Sequence, residues 1–313
     1  MGKKETIVME SLQNFYNGKR VLVTGGAGFI GSHLVEKLIA LGARVTVLDN
    51  FSAGNLTNLK SVAHIITLLY ADIRSPYSCI KATHGQDIVF HSAALTSVPE
   101  SIKNPSLCYK INVEGTENLL IGCKKNNVKT FIFSSSSAVY GNKPEECIET
   151  DFPCPQSPYA SSKYEAELLC QKYGTDQKIN NAILRYFNVY GERQNPRGAY
   201  AAVVTRFKQQ LLSGQPLTIF GDGTQTRDFI HVSNVVDANL ILGMQSTHNG
   251  EIFNIGSGKS VNLFQLIEQL EQELNIAKTD ITFLPSRQGD ILNSTANCEK
   301  YKTAYGHAKQ AHI

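Results

Sequence analysis

KRVLVTGGAGFIGSHLVEKLIALGARVTVLDN, residues 19 to 50, is the stretch that decides the fold. Its apolar run VLVT, residues 21 to 24, predicts a strand, and three glycines follow it: Gly25, Gly28 and Gly31. The apolar residues after them recur at three- and four-residue spacing, which predicts a helix that begins among the glycines. Strand, tight turn and helix in this order form a cradle for a pyrophosphate, because glycine lets the backbone approach it and the helix start favours its charge.

A second predicted strand, residues 44 to 48, leads into Asp49, about 20 residues after the glycines. An acid at this distance is typical of dinucleotide-binding units, where it binds the hydroxyl groups of the adenosine ribose. The same carboxylate opposes a 2′-phosphate, so the stretch favours NAD over NADP. The expected fold class is α/β, a Rossmann doubly wound parallel sheet with a smaller C-terminal α/β substrate lobe.

The composition of the 313-residue chain narrows the classes of function. Its 30 Lys and Arg residues against 27 Asp and Glu give a net charge of only +3, which argues against nucleic acid or an acidic membrane as a partner. No apolar stretch reaches the roughly 20 residues that span a bilayer. The seven cysteines are scattered without a C-x-x-C pair, which disfavours a disulfide framework or a metal site and favours a cytoplasmic, reducing location.

We expect three segments along the chain. Residues 1–17 have the composition of a polar N-terminal arm, and residues 18–187 carry the alternating strands and helices of an NAD-binding domain. From residue 188 the alternation loosens, which places the substrate-binding lobe at 188–313, with about 228–246 returning to the NAD-binding domain.

Small and polar residues follow the predicted strands, at the carboxyl ends where doubly wound folds bind their ligands. Asp72 comes just after a strand, at a place suited to an adenine amino group. Ala93 and Ala94 follow the next strand and permit close contact with a cofactor. His91 ends that strand without a second ligand at metal spacing, so we expect a packed histidine. A hydroxyl cluster, residues 134–137, ends the fifth strand.

The stretch SPYASSK, residues 157–163, begins a helix with Ser157 as its cap and a proline in the first turn. Four-residue spacing puts Tyr159 and Lys163 on one face of this helix. An ammonium group close to a phenol favours the phenolate, so the Tyr159 pKa is expected to fall toward the working pH. Alone this would be an ordinary exposed Tyr/Lys pair, but with the glycine-rich turn and the hydroxyl cluster it predicts the reacting pair.

Two arginines of the second lobe stand out, Arg227 and Arg287. Paired guanidinium groups suit a diphosphate, because they offer planar and permanently charged donors. Either arginine alone would more often be a surface or salt-bridged residue.

The chain resembles the extended short-chain dehydrogenase/reductase family, and within it the nucleotide-sugar 4-epimerases. The motifs that carry the resemblance cover nearly the whole chain: TGGAGFIGSHL (24–34), DN (49–50), DI (72–73), HSAA (91–94), SSSSAVYG (134–141), YASSK (159–163), RYFNVYG (185–191), RDFIHV (227–232) and RQGD (287–290). The resemblance implies bound NAD that is regenerated in each cycle, a UDP-sugar substrate, and a homodimer formed through helices near 105–125 and 159–174.

The resemblance also implies roles for individual residues. The catalytic residues would be Ser136, Tyr159 and Lys163. The cofactor would be bound by Gly25, Gly28, Phe29, Ile30, Gly31, Asp49, Asn50, Asp72, Ile73, Ala93, Ala94, Asn112, Tyr159, Lys163 and Tyr186. The substrate would be bound by Ser97, Ser136, Asn188, Gln194, Ala202, Val203, Arg227, Arg287, Asp290 and Ser294.

Positions at which this chain differs from particular branches of the family indicate which branch it resembles. The 4,6-dehydratases carry an acidic pair where this chain has Ser137 and Ala138, which argues against dehydration. Glucose-restricted epimerases have a tyrosine where this chain has Ser294, which leaves room for a 2-N-acetyl group. Together with Ser294, the stretches TSVPESI (96–102) and ERQNPRGAYAAV (192–203) look most like those of UDP-N-acetylglucosamine 4-epimerases that feed surface polysaccharides. The chain stops at Ile313, where relatives continue with a further helix, so the substrate lobe is expected to be shortened at its C-terminus.

Two other functions stay open at this point. A UDP-glucuronate decarboxylase or 4-epimerase would use the same Tyr, Lys and NAD, but it would need a clamp for the sugar carboxylate that the sequence does not identify. A non-catalytic NAD-binding module is supported only by the shortened C-terminus, and the intact Ser136, Tyr159 and Lys163 argue against it.

Overall fold

The computed structural model describes residues 3–177, 179–195, 203–245, 247–286 and 292–306. The strands are β1 (Arg20–Thr24), β2 (Arg44–Asp49), β3 (Thr67–Tyr70), β4 (Ile88–His91), β5 (Thr130–Ser136), β6 (Asn180–Tyr186), β7 (Asn188–Tyr190), β8 (Leu217–Phe220), β9 (Thr226–His231), β10 (Glu251–Ile255), β11 (Ser260–Asn262) and β12 (Ile281–Leu284). The helices are α1 (Lys3–Tyr16), α2 (Phe29–Ala40), α3 (Pro76–Thr83), α4 (Val98–Lys103), α5 (Pro105–Tyr109), α6 (Gly115–Lys125), α7 (Pro158–Gln177), α8 (Val203–Leu212), α9 (Val232–Met244), α10 (Leu263–Leu274) and α11 (Glu299–Tyr305). Short 3₁₀ turns cover Leu56–Leu59 and Ser137–Tyr140, and a π-helical turn covers Lys110–Glu114.

Seven parallel strands form one sheet in the order β10, β6, β5, β4, β1, β2, β3. The chain starts near the centre with β1, builds outwards to β3, and then returns to β4 and builds outwards on the other side. This order confirms the predicted doubly wound fold, and it places a crevice at the carboxyl ends of β1 and β4, where the winding direction changes.

Helices cover both faces of this sheet with separate apolar cores. One core lies under α1, α2 and α9, and it includes Leu34, Leu38, Val235 and Leu240. The other lies under α3, α6 and α7, and it includes Leu119, Leu120, Ala166 and Cys170. The central strands are buried on both faces, which explains why they are nearly continuous apolar runs in the sequence.

The smaller C-terminal lobe has its own strands and its own core, as predicted. β9 pairs with β7 in parallel and with β11 antiparallel, and β8 pairs with β12. Helices α8 and α10 pack beside them around Phe207, Leu211, Ile219 and Leu266. Asn262 closes a capping box at the start of α10.

The chain passes between the two lobes four times within the described ranges. After β9 it returns to the large sheet as α9, within the segment predicted to return, and it stays there for β10, the edge strand beside β6. After β12 it returns again as α11, whose Tyr301 lies in the core under α9. Both β10 and α11 lie outside the predicted segment. A five-residue strand such as β10, with the sequence EIFNI, is too short to show a periodicity that indicates which sheet it joins.

Residues 3–16 form helix α1, which corrects the polar arm that the sequence predicts. Leu12 and Tyr16 are buried, and the Tyr16 hydroxyl donates a hydrogen bond to the Leu240 carbonyl of α9 at 2.8 Å. Among residues 7–16, the part of this helix whose side-chain burial is described, the buried residues form one narrow stripe at four-residue spacing. The prediction of an arm was wrong because it used the average polarity of the segment. The apolar stripe alone is enough to pack the helix against the large sheet's helical layer.

All seven cysteines are free thiols, and six of them are buried. The described part of the chain contains no group of three or more His, Cys, Asp or Glu side chains arranged to hold a metal ion. In the same ranges, no helix combines the length and apolar character needed to cross a membrane.

Candidate active site

Glycines build the turn between β1 and α2. Gly25 has a φ of +67°, and a Cβ there would lie 2.7 Å from the Ala93 nitrogen, so a side chain is excluded. A Cβ at Gly31 would lie 2.2 Å from the Gly25 oxygen, so α2 packs directly on the turn. Gly28 precedes α2, and no side chain of the described residues caps this helix start. The N–H groups of the first turn, at Phe29 and Ile30, are thus left for an anion, which fits a pyrophosphate.

Asp49 ends β2 beside this turn. Its carboxylate accepts hydrogen bonds from the Ala27 nitrogen at 2.9 Å and from the Phe51 nitrogen at 2.8 Å. Two backbone donors thus hold one position of the carboxylate next to the glycine turn. Carboxylate oxygens accept more than one hydrogen bond each, so acceptor sites remain for ribose hydroxyl groups.

Asp72 lies after β3 and is bound to two neighbouring side chains. Arg74 donates to both of its oxygens, at 3.0 and 2.8 Å, and Asn50 donates to it at 2.8 Å. The hydrogen bond from Arg74 is the largest cause that lowers the Asp72 pKa to about 2. The sequence prediction placed Asp72 and Asn50 at the cofactor but did not include Arg74, which sits one residue beyond the DI motif. The neighbouring Ile73 side chain is buried in the core, which leaves only its backbone toward the sheet edge.

His91 is a packed histidine, as expected. Its ring nitrogens lie 2.7 Å from the Thr24 hydroxyl and 2.9 Å from the Thr116 hydroxyl. Burial, followed by the charge of Lys163, lowers the His91 pKa to about 3, so the ring is neutral. Ala93 and Ala94 follow it at the mouth of the crevice and are half-buried.

The predicted reacting pair lies at the start of α7, against the end of β5. The Lys163 Nζ donates to the Ser134 carbonyl at 2.7 Å and lies 4.7 Å from the centre of the Phe133 ring. Burial lowers the Lys163 pKa to about 8. Tyr159 precedes it by one helical turn on the same face, and Ser136 lies at the last position of β5.

The serines around this pair fix the local backbone. The Ser157 hydroxyl accepts from the Ala160 nitrogen at 3.2 Å, which confirms its predicted capping position. The Ser136 hydroxyl accepts from the Ala138 nitrogen at 3.2 Å, and the Ser101 hydroxyl of α4 accepts from the Tyr159 nitrogen at 3.1 Å. The start of α7 is thus anchored on α4 as well as on β5.

Asn112 and Tyr186, which the resemblance implies as cofactor-binding residues, make hydrogen bonds inside the protein. Asn112, in the π-helical turn, exchanges hydrogen bonds with the backbone of Leu95 at 2.8 and 3.0 Å and donates to the Ser162 hydroxyl at 2.9 Å. The Tyr186 hydroxyl bonds Ser134 and Asn239, at 3.1 and 2.9 Å. Both side chains are buried and their polar atoms are used inside the protein.

A buried ion pair lies next to Lys163, and sequence reasoning did not single it out. Arg185 of β6 donates to Glu167 of α7 through Nε at 3.0 Å and through Nη2 at 2.7 Å. The two side chains are 2% and 1% exposed. Glu167 follows Lys163 by four residues, and this spacing on the predicted helix is the signal that could have identified it.

Residues predicted to bind the substrate line the smaller lobe, and several are held by their own contacts. Asn188 donates to the Asp228 carbonyl at 2.9 Å. Gln194 donates to the Val189 carbonyl at 3.0 Å and accepts from the Thr205 hydroxyl of α8 at 2.5 Å. Gln194 thus links the loop after β7 to the first turn of α8, which begins at Val203.

Arg227 and Ser294 lie on the two sides of the buried Asp228. Arg227 donates to the Leu292 carbonyl at 3.1 Å, and the Ser294 carbonyl accepts from the Asp228 nitrogen at 2.7 Å. Ser294 itself is buried. The segment 292–294 therefore runs alongside β9, which brings these two predicted substrate residues to the same strand.

The Asp228 carboxylate fixes this part of the lobe. It accepts hydrogen bonds from the backbone nitrogens of Ser257, Gly258 and Ala296 and so ties β9 to two loops. Ser97 has a local role as well, because its hydroxyl caps α4. Three further predicted substrate residues lie outside the described residues: Ala202, Arg287 and Asp290.

Comparison with known proteins places this geometry in a family. The chain is similar to the UDP-N-acetylglucosamine 4-epimerase from Methanobrevibacter ruminantium M1, solved in complex with UDP-N-acetylmuramic acid, with 38% identity, a TM-score of 0.88 and 94% of each chain covered. It is 35% identical over 292 residues to a UDP-glucose 4-epimerase of Mycolicibacterium smegmatis, covering 92% of each chain. It is 36% identical over 273 residues to a UDP-N-acetyl-alpha-D-glucosaminuronate decarboxylase of Bacillus cytotoxicus, covering 85% of this chain and 84% of that protein. The sequence model of the NAD dependent epimerase/dehydratase family matches residues 21–256, and the chain therefore belongs to this family.

Proposed function

We propose that the protein is an NAD-dependent UDP-sugar 4-epimerase. Its substrates would be UDP-N-acetylglucosamine and UDP-N-acetylgalactosamine, and also UDP-glucose and UDP-galactose, which interconvert through a transient 4-keto sugar. The observation that carries the proposal is the hydrogen bond from Lys163 to the Ser134 carbonyl, two residues before Ser136, on the same large sheet whose β1 leads into the uncapped glycine turn of α2. The similarity to two kinds of UDP-sugar 4-epimerase supports the same reaction.

The cofactor would lie along the carboxyl edge of the large sheet. The glycine turn and the first N–H groups of α2 would hold its pyrophosphate, and Asp49 would bind the adenosine ribose, which favours NAD. Ala93 and Ala94 would let the cofactor pass close to the strand ends. Bound NAD supplies a reversible two-electron oxidation at the sugar C4.

Tyr159 would move the proton of the reaction. Its phenolate takes the proton from the sugar 4-hydroxyl when C4 is oxidised and returns it when the keto group is reduced on its other face. Lys163 stabilises the phenolate by its positive charge, and the Ser136 hydroxyl donates a hydrogen bond to the same sugar oxygen. The Lys163 pKa of about 8 means that the ammonium form is present at neutral pH.

The UDP group would be the fixed anchor around which the keto sugar turns. Arg227 would bind the diphosphate together with Arg287, while Asp290 would bind the ribose or an arginine. The remaining substrate contacts proposed from the resemblance are Ser97, Asn188, Gln194, Ala202 and Val203.

Ser294 would set the breadth of the sugar pocket. A serine in place of a tyrosine leaves volume for a 2-N-acetyl group, while a large pocket need not exclude the smaller hexose. The replacement Ser294→Tyr is therefore expected to lower kcat/KM for UDP-N-acetylglucosamine by about 10- to 200-fold relative to UDP-glucose. The matched control is Ser294→Ala, which removes the hydroxyl without filling the space, and it should leave the ratio of the two rates nearly unchanged.

A decarboxylase is the second candidate, because one relative of similar identity is a UDP-N-acetyl-alpha-D-glucosaminuronate decarboxylase. That reaction shares the oxidation at C4 but loses a carboxylate from the sugar. Carbon dioxide release from a UDP-uronate would be its signature, and 4-epimers of neutral sugars would not form.

We also propose that the protein works as a cytoplasmic homodimer. The seven free thiols support a reducing compartment. The outer faces of α4 to α7 expose apolar side chains on neighbouring helices, and a second copy of the chain would cover them: Ile102, Tyr109, Ile121 and Leu168, each 42–45% exposed. Sedimentation of the purified protein measures its mass in solution. A dimer that becomes a monomer in a Leu168→Glu variant is expected, and a monomeric unmodified protein would reject this part.

The function is tested by incubating the purified protein, without added NAD, with UDP-N-acetylglucosamine and separately with UDP-glucose. The 4-epimers are resolved by chromatography, and the absorbance of NADH is followed during the reaction. We expect epimers of both sugars without net NADH, because the cofactor is regenerated in each cycle. A folded protein that yields no epimer even with NAD supplied, and that releases carbon dioxide from a UDP-uronate, would establish the decarboxylase instead.

A further inference from the structure

The Glu167 carboxylate lies where three parts of the candidate active site meet. One oxygen accepts from the Ser135 hydroxyl at 2.5 Å and from Arg185 Nε at 3.0 Å, and the other accepts from Arg185 Nη2 at 2.7 Å. Glu167 therefore joins α7, which carries Tyr159 and Lys163, to β5 and β6.

Ser135 stands between two residues of the site. The Ser134 carbonyl on one side accepts from Lys163, and Ser136 on the other side is the proposed partner of the sugar oxygen. In the sheet, Ser135 is paired with Arg185, so the same ion pair also fixes β6 against β5. A shift of the Glu167 carboxylate would thus move the Lys163 acceptor and Ser136 together.

Glu167 differs in charge from the other titratable groups around Lys163. The titratable groups that face the ammonium from the packed elements are His91 of β4, Cys108 of α5, and Cys170, Glu167 and Tyr159 of its own helix. Burial raises the pKa of both thiols and lowers the pKa of His91 to about 3, so these three groups are neutral near pH 7. Among the described residues that face Lys163, Glu167 is the resident anion.

The positive partner of Glu167 is held from its other side. The Arg185 guanidinium lies 4.6 Å from the centre of the Tyr140 ring, and the Tyr140 hydroxyl donates to Asn254 at 2.6 Å. The Arg185 guanidinium thus contacts a hydrogen-bonded ring as well as the Glu167 carboxylate.

We propose that Glu167 is a positioning residue: its buried negative charge keeps Lys163 protonated in an apolar interior, and its hydrogen bonds hold the end of β5 against the start of α7. The kinetic consequence rests on the proposed function, whereas the electrostatic part can be measured without any sugar. Both tasks act through Lys163 and Ser136, since Glu167 itself is buried away from the crevice.

The test compares Glu167→Gln, Arg185→Met and Ser135→Ala with the unmodified protein. Lysine labelled with ¹³C at Cε reports the protonation of Lys163 by NMR as the pH is raised, and a Lys163→Arg variant assigns the signal. We expect the titration midpoint to fall by about one pH unit in Glu167→Gln, because an opposite charge nearby favours the ammonium form. It should rise in Arg185→Met, where a positive charge is removed, and stay unchanged in Ser135→Ala, which alters no charge.

The same variants separate the proposal from a merely structural role. With a UDP-sugar substrate, the alkaline limb of the kcat profile should move in the same direction as each midpoint, with little change in KM. Equal midpoints in all variants would overturn the proposal, even if activity fell. Failure of the unmodified protein to epimerise would reject the proposed function but would leave the titration result valid.

The double variant Glu167→Gln/Arg185→Met covers the case in which a single variant does not fold. It leaves neither charge of the pair unpartnered in the interior, so it is expected to fold when the single variants do not. Because Glu167 lies one helical turn from Lys163 and its charge acts on that ammonium directly, the midpoint of the double variant should still lie below that of the unmodified protein. An unchanged midpoint in this variant would contradict the proposal.

Discussion

Two ion pairs lie beside strands on opposite sides of the large sheet, and one of them is buried while the other is exposed to solvent. Beside β5 and β6, the Glu167 and Arg185 side chains are 1% and 2% exposed, and Lys163 lies next to them. Beside β3, the Asp72 and Arg74 side chains are 25% and 45% exposed. Water screens the second pair, whereas the first interacts in an apolar interior where charges are costly to leave unpaired. Burial, and not the number of charges, therefore decides which of the two ion pairs acts more strongly on a neighbouring ionisable group.

The side of the sheet with the buried pair should carry the chemistry, and Tyr159→Phe is the sharpest way to test this. Loss of the phenol removes the proposed proton acceptor, and we expect kcat to fall by about 10²- to 10⁴-fold. Epimer formation at saturating sugar measures the change, with NAD content and thermal unfolding measured in parallel. The control is Tyr77→Phe, since Tyr77 is 75% exposed on α3 and lies outside the crevice. Equal rates in the Tyr159 variant and the unmodified protein would remove Tyr159 from the mechanism.

The two ion pairs should differ in their contribution to stability. Arg185→Met leaves the Glu167 charge buried without a partner, so the free energy of unfolding should fall by about 3–5 kcal/mol. Arg74→Met leaves Asp72 in contact with water, so the fall should be about 1 kcal/mol or less. Denaturant unfolding of both variants gives the comparison. Similar losses at the two sites would show that burial is not the deciding variable.

The pH dependence of the free energy of unfolding tests the effect of burial on Lys163. Burial lowers the Lys163 pKa from its ordinary 10.5 to about 8, so between these values the unfolded chain holds more protons than the folded one. Stability should therefore rise with pH across this window, by about 3 kcal/mol at most, and the penalty should be fully present below pH 8. Unfolding of cofactor-free protein and of Lys163→Met is compared at several pH values. The rise should be absent from the variant, and an identical slope in both proteins would contradict the assignment.

The exposed Asp72–Arg74 pair should give the smallest change in the free energy of unfolding, and this change should occur at acid pH. The hydrogen bond from Arg74 lowers the Asp72 pKa to about 2 from its ordinary 3.8, so the folded state favours the carboxylate. This stabilisation is present above pH 3.8 and is lost as the pH falls toward 2. Because the pair is solvent-exposed, its size should be about 1 kcal/mol or less and should shrink in high salt. Acid unfolding of Asp72→Asn and of the unmodified protein at low and high salt measures this stabilisation. A large difference in the free energy of unfolding between the two proteins that does not depend on salt would contradict the prediction.

The parts of the site that the sequence predicted are those with strong local rules. The glycine turn was predictable because only glycine tolerates the φ of Gly25 and the close approach at Gly31. Tyr159 and Lys163 were predictable because helical spacing alone puts them on one face. The doubly wound sheet followed from alternating apolar runs and helical patterns, which need no knowledge of distant contacts.

The parts that sequence reasoning missed depend on contacts between distant residues. Nothing local indicates that Arg185 lies in the interior, because an arginine in a strand is usually exposed, and its partner Glu167 is on another element. The hydrogen bonds that Asn112 and Tyr186 make with Leu95 and Asn239 likewise join residues that lie far apart in the sequence. Helix α1 was missed because its docking stripe is narrow, with Leu12 and Tyr16 as the buried contacts.

The repeated passage of the chain between the lobes has a consequence for how this enzyme family can be altered. A fragment that ended after β6 would lack β10 at the sheet edge and α9 over one face, so the NAD-binding part would lose a strand and a covering helix. The two lobes should therefore unfold in a single cooperative transition and should not be exchangeable as separate modules. New sugar preferences are then expected to arise by substitution at positions such as Ser294, within a scaffold that is inherited whole.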